Sequence, residues 1–404
     1  MTCALAPAYT IRWHIGFYPT TLLEAAIVIS LVVFAWESRS SWRSLSWRSP
    51  FLIPALVFLL AGAIAVVTAP SKVAALGLYR AYLLEPMAFG FVLVNVVRTP
   101  ARALLIVSGL FVGAAVAGLA NSVVVADGLI HHTYQVTQSP PVVIYLTANA
   151  VALYVVPLVA VAGSLALYGQ RHERAIGAAF VAAGLVITVM SFSRGGYLAL
   201  AAVVFALVLS HRRRIPLLGL TLLGLAILAL VPPVRTRVLI ETQNVYGNTI
   251  QSRLDLWSAT INLLRERPIF GAGLAGFPER IVPFFSHFHT LANFIDPHNI
   301  ILNFWVETGL LGLLTMAWII GVGFAVNWQG WRRGPEGWRP YHLGVMLALV
   351  AVIMHGMVDV PYFKNDLSLE FWALLSLSWA GRTWGSRGPT VAAVSTARSQ
   401  PHLG

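Results

Sequence analysis

Apolar runs recur along nearly the whole chain, separated by short polar connectors, and many are long enough to reach across about 30 Å of hydrocarbon. They predict transmembrane helices near 22–36, 51–69, 82–97, 103–124, 146–168, 175–191, 196–210, 215–232, 300–326, 341–358 and 368–381. The fold class this implies is an all-α integral membrane protein, a polytopic bundle of about eleven transmembrane helices that takes up residues 1–404 as one domain. No internal repeat divides it. The longest polar interruption, 233–299, is predicted to be a large loop with structure of its own. Within it, TIQSRLDLWSATINLLRERP places Leu254, Trp257, Ile261 and Leu264 at spacings of three and four, which predicts an amphipathic helix ended by Pro268. Downstream, Asp296 is expected to cap and Pro297 to open the ninth span, with His298 in its first turn.

Composition agrees with this pattern: 58% of the residues are hydrophobic and 10% charged, against roughly 25% charged in a soluble domain. The connectors after alternate spans carry the arginines, among them Arg39, Arg43, Arg98, Arg171, Arg212, Arg332, Arg333 and Arg382. By the positive-inside rule those connectors are cytoplasmic, which puts 233–299 and the N-terminus outside. The net charge of +12 therefore reflects topology and implies no nucleic-acid partner. With an external N-terminus and an odd number of spans, residues 1–21 read as the outer end of a helix, so a further first span is expected to be missing. Residues 382–404, small, polar and basic, are expected to form a disordered cytoplasmic tail. A single cysteine, Cys3, excludes an intramolecular disulfide and a cysteine-based zinc site.

The charges that interrupt apolar surroundings are the candidates for chemistry. Arg194 sits in SFSRGG between two predicted spans, and a turn there, with Gly195 and Gly196 as its permissive backbone, makes the flanking helices a tight antiparallel hairpin. Its guanidinium either snorkels to headgroups or holds an anion. Arg80, in GLYRAYLLEP, allows the same two readings. GAGLAG at 271–276 fits the dinucleotide fingerprint by letter, but no strand is predicted before it, and a turn passing close to the bundle is expected instead. His287, His289, His298 and Asp296 are near one another in sequence and a metal site is conceivable there, but the spacing is not diagnostic of one, and surface histidines are the expected reading. Arg194, Arg253 and His298 are different, because the topology places all three on the outer side, each next to a helix end. Two guanidiniums can grip a diphosphate through paired N–H donors, and a nearby imidazole can accept a proton from a hydroxyl. Trp257 and Trp305 could stack on sugars or simply anchor at the interface.

Three stretches, SFSRGGYLAL (191–200), SRLDLWSATINLLRERPIFGAGLAGF (252–277) and DPHNIILNFWVETGLLGLL (296–314), resemble in order the O-antigen ligase and polymerase family of bacterial membrane glycosyltransferases; HGMVDVPYF (355–363) is a weaker fourth match. The resemblance implies a GT-C-like bundle, typically of twelve helices, in the bacterial inner membrane. It implies transfer of a glycan from a polyprenyl diphosphate carrier to an acceptor hydroxyl on the outer face, without metal, nucleotide or other cofactor. A lipid A core sugar is the acceptor expected first, which makes the chain a ligase. A growing glycan (polymerase) and a protein hydroxyl (O-oligosaccharyltransferase) are the alternatives. By the same resemblance Arg194 and Arg253 bind the diphosphate, and His298 activates or orients the acceptor hydroxyl. Asn299, Trp257 and Arg80 are further candidates for substrate contact. A transporter of an anionic lipid or solute is the competing class, and it calls for broken helices near the midplane and repeat symmetry.

Overall fold

A computed structural model describes residues 1–16, 18–136, 138–211, 213–239, 249–285 and 294–385. His287, His289, Arg212 and most of the 382–404 segment lie outside the described residues.

The chain begins with a 3-10-wound segment, Thr2–Thr10, and a short antiparallel hairpin of β1 (Arg12–Ile15) and β2 (Tyr18–Thr21). The described helices that follow are α1 (Leu22–Ser38), α2 (Leu52–Thr68), α3 (Lys72–Tyr79), α4 (Glu85–Val96), α5 (Pro100–Ile130), α6 (Ala148–Tyr168), α7 (Arg171–Met190), α8 (Arg194–Ser210) and α9 (Arg214–Leu230). After these come α10 (Pro232–Leu239), α11 (Thr249–Glu266), α12 (Phe277–Arg280), α13 (Ile300–Arg333), α14 (Arg339–Gly356) and α15 (Asn365–Gly385). Six helical stretches are long and apolar enough to cross a membrane: Lys72–Val96, which joins α3 to α4 through a π-wound turn, Pro100–Ile130, Ala148–Tyr168, Arg171–Met190, Ile300–Arg333 and Glu336–Gly356. Leu52–Thr68, Arg194–Ser210 and the stretch Arg214–Gly224 of α9 are apolar but shorter. The protein is thus an all-α integral membrane protein, and the number eleven rests on the sequence pattern.

Helix α6 is the axis of the bundle. It is apolar all round and buried continuously from Ala150 to Leu165, the behaviour of a helix enclosed by others. α14 lies directly against it, where a Cβ on Gly344 would come within 2.9 Å of the Val161 backbone. The Ser164 hydroxyl donates to the Pro340 carbonyl at 2.7 Å. Polar side chains mark the helix starts: Thr21 and Glu24 form a capping box on α1, and Thr99, Thr147 and Ser193 cap α5, α6 and α8.

Three expectations are corrected. Residues 2–10 wind as 3-10, with Pro7 among them, rather than as the outer turns of an α-helix, and they pack on α1 and α5. The SFSRGG turn exists, but its left-handed residue is Phe192 (φ 49°), and the glycines belong to the first turn of α8. There they admit neighbours: a Cβ on Gly195 would lie 2.7 Å from the His355 ring and one on Gly196 2.6 Å from the Ala152 Cβ. α7 and α8 consequently diverge, α7 packing on α5 and α6 and α8 on α14 and α6, so they are not a closely packed hairpin. Finally, α13 is capped by Asn299, whose amide oxygen accepts from Ile301 N–H and Leu302 N–H. His298 has φ 48° and lies before the helix, which leaves Asp296 and Pro297 out of capping position.

Helix α13 is broken at Gly309 (φ 70°, ψ −179°), and the GAGLAG segment fills the break. Ala272 and Gly273 N–H donate to the Val306 carbonyl at 2.7 and 3.1 Å, and Leu310 N–H donates to Ile269 C=O at 2.9 Å. The buried Glu307 accepts from Ala275 N–H at 2.7 Å. A Cβ on Gly271 would stand 2.3 Å from the Trp305 carbonyl. The glycines therefore let the loop's backbone replace the missing helical partners, as an interrupted helix within a membrane protein requires.

Candidate active site

At the end of the bundle where α13 begins, two short connectors meet. One is the left-handed corner at His298; the other is the Met357–Lys364 link between α14 and α15. Asn299 joins them through Nδ2, which donates to the Met357 carbonyl at 3.1 Å. The juxtaposition brings His298 Nδ1 to 3.0 Å from Asp296 Oδ1 and 3.6 Å from Asp359 Oδ1. Both carboxylates are fixed from behind: Asp296 accepts from His298 N–H at 2.9 Å, and Asp359 accepts from Val360 N–H and from Asn149 Nδ2, each at 2.8 Å. The Phe294 ring stands edge-on to the imidazole at 5.4 Å.

The electrostatics follow from this geometry. Burial works against a charge on His298, but the contacts to Asp296 and Asp359 and the charges of both outweigh it and push its pKa up to about 9. Burial would raise Asp359, yet its contact with His298 and the charges of His298, His355 and Lys364 hold it well below the usual carboxylate range. At neutral pH the pair is an imidazolium between two carboxylates. The cation's second nitrogen, Nε2, is directed away from both by the geometry of the ring.

Arg253 belongs to the first turns of α11, the amphipathic helix predicted from spacing. Leu256, Ala259, Leu263 and Leu264 on its buried face pack with Phe277 and Val306. Trp257 fastens it to the His298 corner, its indole N–H donating to the Pro297 carbonyl at 3.0 Å. Burial lowers the Arg253 pKa, opposed by the charges of Asp359 and Asp296; a guanidinium remains a cation under such a shift. No carboxylate among the described residues lies within 4.0 Å of it. Arg194 opens α8, capped by Ser193, whose hydroxyl accepts from Gly196 N–H at 3.1 Å. Its neighbour Gly195 packs on His355 and Val358, which sets the start of α8 beside the Asp359 connector.

The remaining candidates are engaged within the protein. Arg80 lies in the π-wound turn, 3.0 Å from Glu24 Oε2 and 3.4 Å from Glu85 Oε1. Glu24 also accepts from Asn365 Nδ2 at 3.0 Å and from the Thr20 hydroxyl at 3.2 Å. Asn299 uses its oxygen for the cap and its nitrogen for Met357. Both tryptophans donate to backbone, Trp257 to Pro297 and Trp305 to Pro268. Sequence reasoning missed Asp359, Asn149 and His355 as parts of the site. Asp359 and His355 stand in HGMVDVPYF, the weaker matching stretch; Asn149, in an ordinary span, gave no signal.

Comparison with known proteins bears on the family resemblance. Residues 178–317 match the family described as O-antigen ligase. That range contains Arg194, Arg253, Trp257, Asp296, His298 and Asn299 and leaves out Arg80, Asn149 and Asp359. The chain is also 26% identical over 170 residues to an uncharacterized protein of Haemophilus influenzae, an alignment covering 37% of this chain and 43% of that relative. With Arg194, Arg253 and His298 inside the matched range, the match supports the resemblance to the O-antigen ligase and polymerase family.

Proposed function

We propose that the protein moves a glycan from a polyprenyl diphosphate carrier to an acceptor hydroxyl, at the end of the bundle that carries His298, which faces the outside of a bacterial inner membrane. The observation that carries this reading is the convergence of α11, the His298 corner and the Asp359 connector, which sets the cation of Arg253 beside an imidazolium held by two carboxylates. In the reaction the acceptor oxygen forms a bond to the anomeric carbon and the bond from that carbon to the diphosphate oxygen breaks. The electron pair leaves with the lipid diphosphate, which also takes the acceptor's proton. Negative charge builds on phosphate oxygens, and fixed cations placed for that charge lower the barrier. Arg194 and Arg253 bind the diphosphate.

His298 enters with its ring protonated at neutral pH. It therefore orients and donates a hydrogen bond from Nε2, in place of the proton acceptance expected from an unperturbed imidazole. Asp296 and Asp359 hold the ring, and Asn149 holds Asp359. Arg80, paired with Glu24 and Glu85, braces the outer ends of α1 and α4 and does not contact substrate. The acceptor is a lipid A core sugar, so the protein is a ligase. The purified protein, incubated with a polyprenyl diphosphate glycan and separate candidate acceptors, is expected to add the glycan's mass to the core glycolipid. Mass gain only on the glycan itself would make it a polymerase. No gain on any acceptor, from protein that remains folded, would remove the transferase reading.

A further inference from the structure

A cavity of about 1060 Å³ lies at the opposite end of the bundle from His298, where α13 and α15 end and α14 begins. Arg332 and Arg333 from the last turn of α13 and Arg382 from the last turn of α15 line it. His342, 2% exposed, forms its floor. That floor is built: His342 Nδ1 donates to Asn327 Oδ1 at 3.0 Å, and the Ser378 hydroxyl donates to the same oxygen at 2.8 Å. The space above it depends on two glycines, since a Cβ on Gly330 or Gly381 would come within 2.3 or 2.8 Å of the imidazole.

We propose that this cavity binds the phosphate of an anionic phospholipid in the adjacent leaflet, the cytoplasmic one by the positive-inside rule. Three arginines from two helix ends line one hollow, whereas arginines that only set topology are spread along connectors. No acidic residue lines the hollow, and no carboxylate among the described residues lies within 4.0 Å of Arg332 or Arg333. A lipid rather than a soluble ion is indicated by Trp328, which lines the cavity, is 53% exposed and carries the Arg332 guanidinium 5.5 Å above its ring. An exposed tryptophan beside arginines at a helix end is the arrangement of a membrane interface, where basic pockets take up lipid phosphates.

The test is native mass spectrometry of the full chain released from detergent containing phosphatidylglycerol or phosphatidylcholine, with inorganic phosphate as a third arm. The intact protein is expected to retain one phosphatidylglycerol in preference to phosphatidylcholine. The double variant Arg332→Gln/Arg333→Gln should retain it about 10-fold less, while Arg39→Gln/Arg43→Gln, on another connector, should retain it as the parent does. The lipid-free thermal midpoints of both variants check that they fold. Equal retention of the two lipids, or equal loss in the two variants, overturns the site. Displacement of the lipid by millimolar phosphate assigns the cavity to a soluble phosphate and overturns the lipid.

Discussion

Arg80 and Arg253 are both arginines near the end of the bundle that carries His298, and the protein treats them in opposite ways. Arg80 stands between two buried carboxylates at 3.0 and 3.4 Å, so its charge is neutralised within the fold. Arg253 is desolvated but has only the more distant fields of Asp359 and Asp296 to oppose that. The carboxylates near it are turned toward His298 instead. A charge neutralised at close range serves stability, whereas one held in place with its hydrogen-bond donors unmatched by carboxylates can serve an incoming anion.

The largest test of that contrast is Arg253→Ala, with Arg194→Ala beside it. Each is expected to reduce glycan transfer at least ~100-fold, the scale of losing one fixed donor to a developing oxyanion. The thermal midpoint should move little, and product levels near the parent's would break the comparison on the Arg253 side. Arg80→Ala should do the reverse. It leaves Glu24 and Glu85 without their counter-charge, at a cost of about 3 kcal/mol of stability, read as a lower midpoint in detergent, while transfer per folded molecule stays within a few-fold.

The pH dependence sharpens the role of His298. Its folded pKa is above the ordinary 6.5, so its pairing contributes stability fully below that value and loses it as pH rises through about 9. Asp359, held low, contributes above its ordinary 3.8 and loses that contribution on acidification. Stability should therefore be level between the ordinary values 3.8 and 6.5 and decline from about pH 6.5 to about 9. Transfer should decline there too, because a donor loses its proton; a rate that climbs toward pH 9 would instead mark His298 as a base. The smallest effect is that of Asp359→Asn, which removes one of two carboxylates from the ring. The alkaline limb of the rate profile should move down by about one pH unit, and an unmoved limb would show that Asp359 does not act through His298.

Local pattern was enough for much of this. Apolar periodicity placed α11 but not its buried face. Of Leu254, Trp257, Ile261 and Leu264 only Leu264 is buried, Leu254 and Ile261 are 48% and 42% exposed, and Leu256, Ala259 and Leu263 pack instead, because the side a helix turns inward is set by what lies beneath it. Three of the four stretches that resemble the family lie within the matched range 178–317. The cap of α13 was misassigned because Asp296, Pro297 and Asn299 are all acceptable near a helix start. The choice among them depends on the left-handed backbone of His298 and on Met357, 58 residues away, which receives the Asn299 amide. Similarly, the glycines after Arg194 look like turn residues in sequence, and only the packing of α14 shows that they make room for His355.

The amino-acid order alone determined that this is a helical membrane protein with its arginines sorted to alternate connectors, because hydrophobic length and charge bias act on each segment independently. Which cations are neutralised and which stay available was decided by tertiary structure. Glu24 meets Arg80, and Asp359 meets His298, across 56 and 61 residues of chain respectively, and no rule of spacing could have paired them. Coulomb interactions and desolvation depend on distance in space and on burial, and for these groups folding sets both.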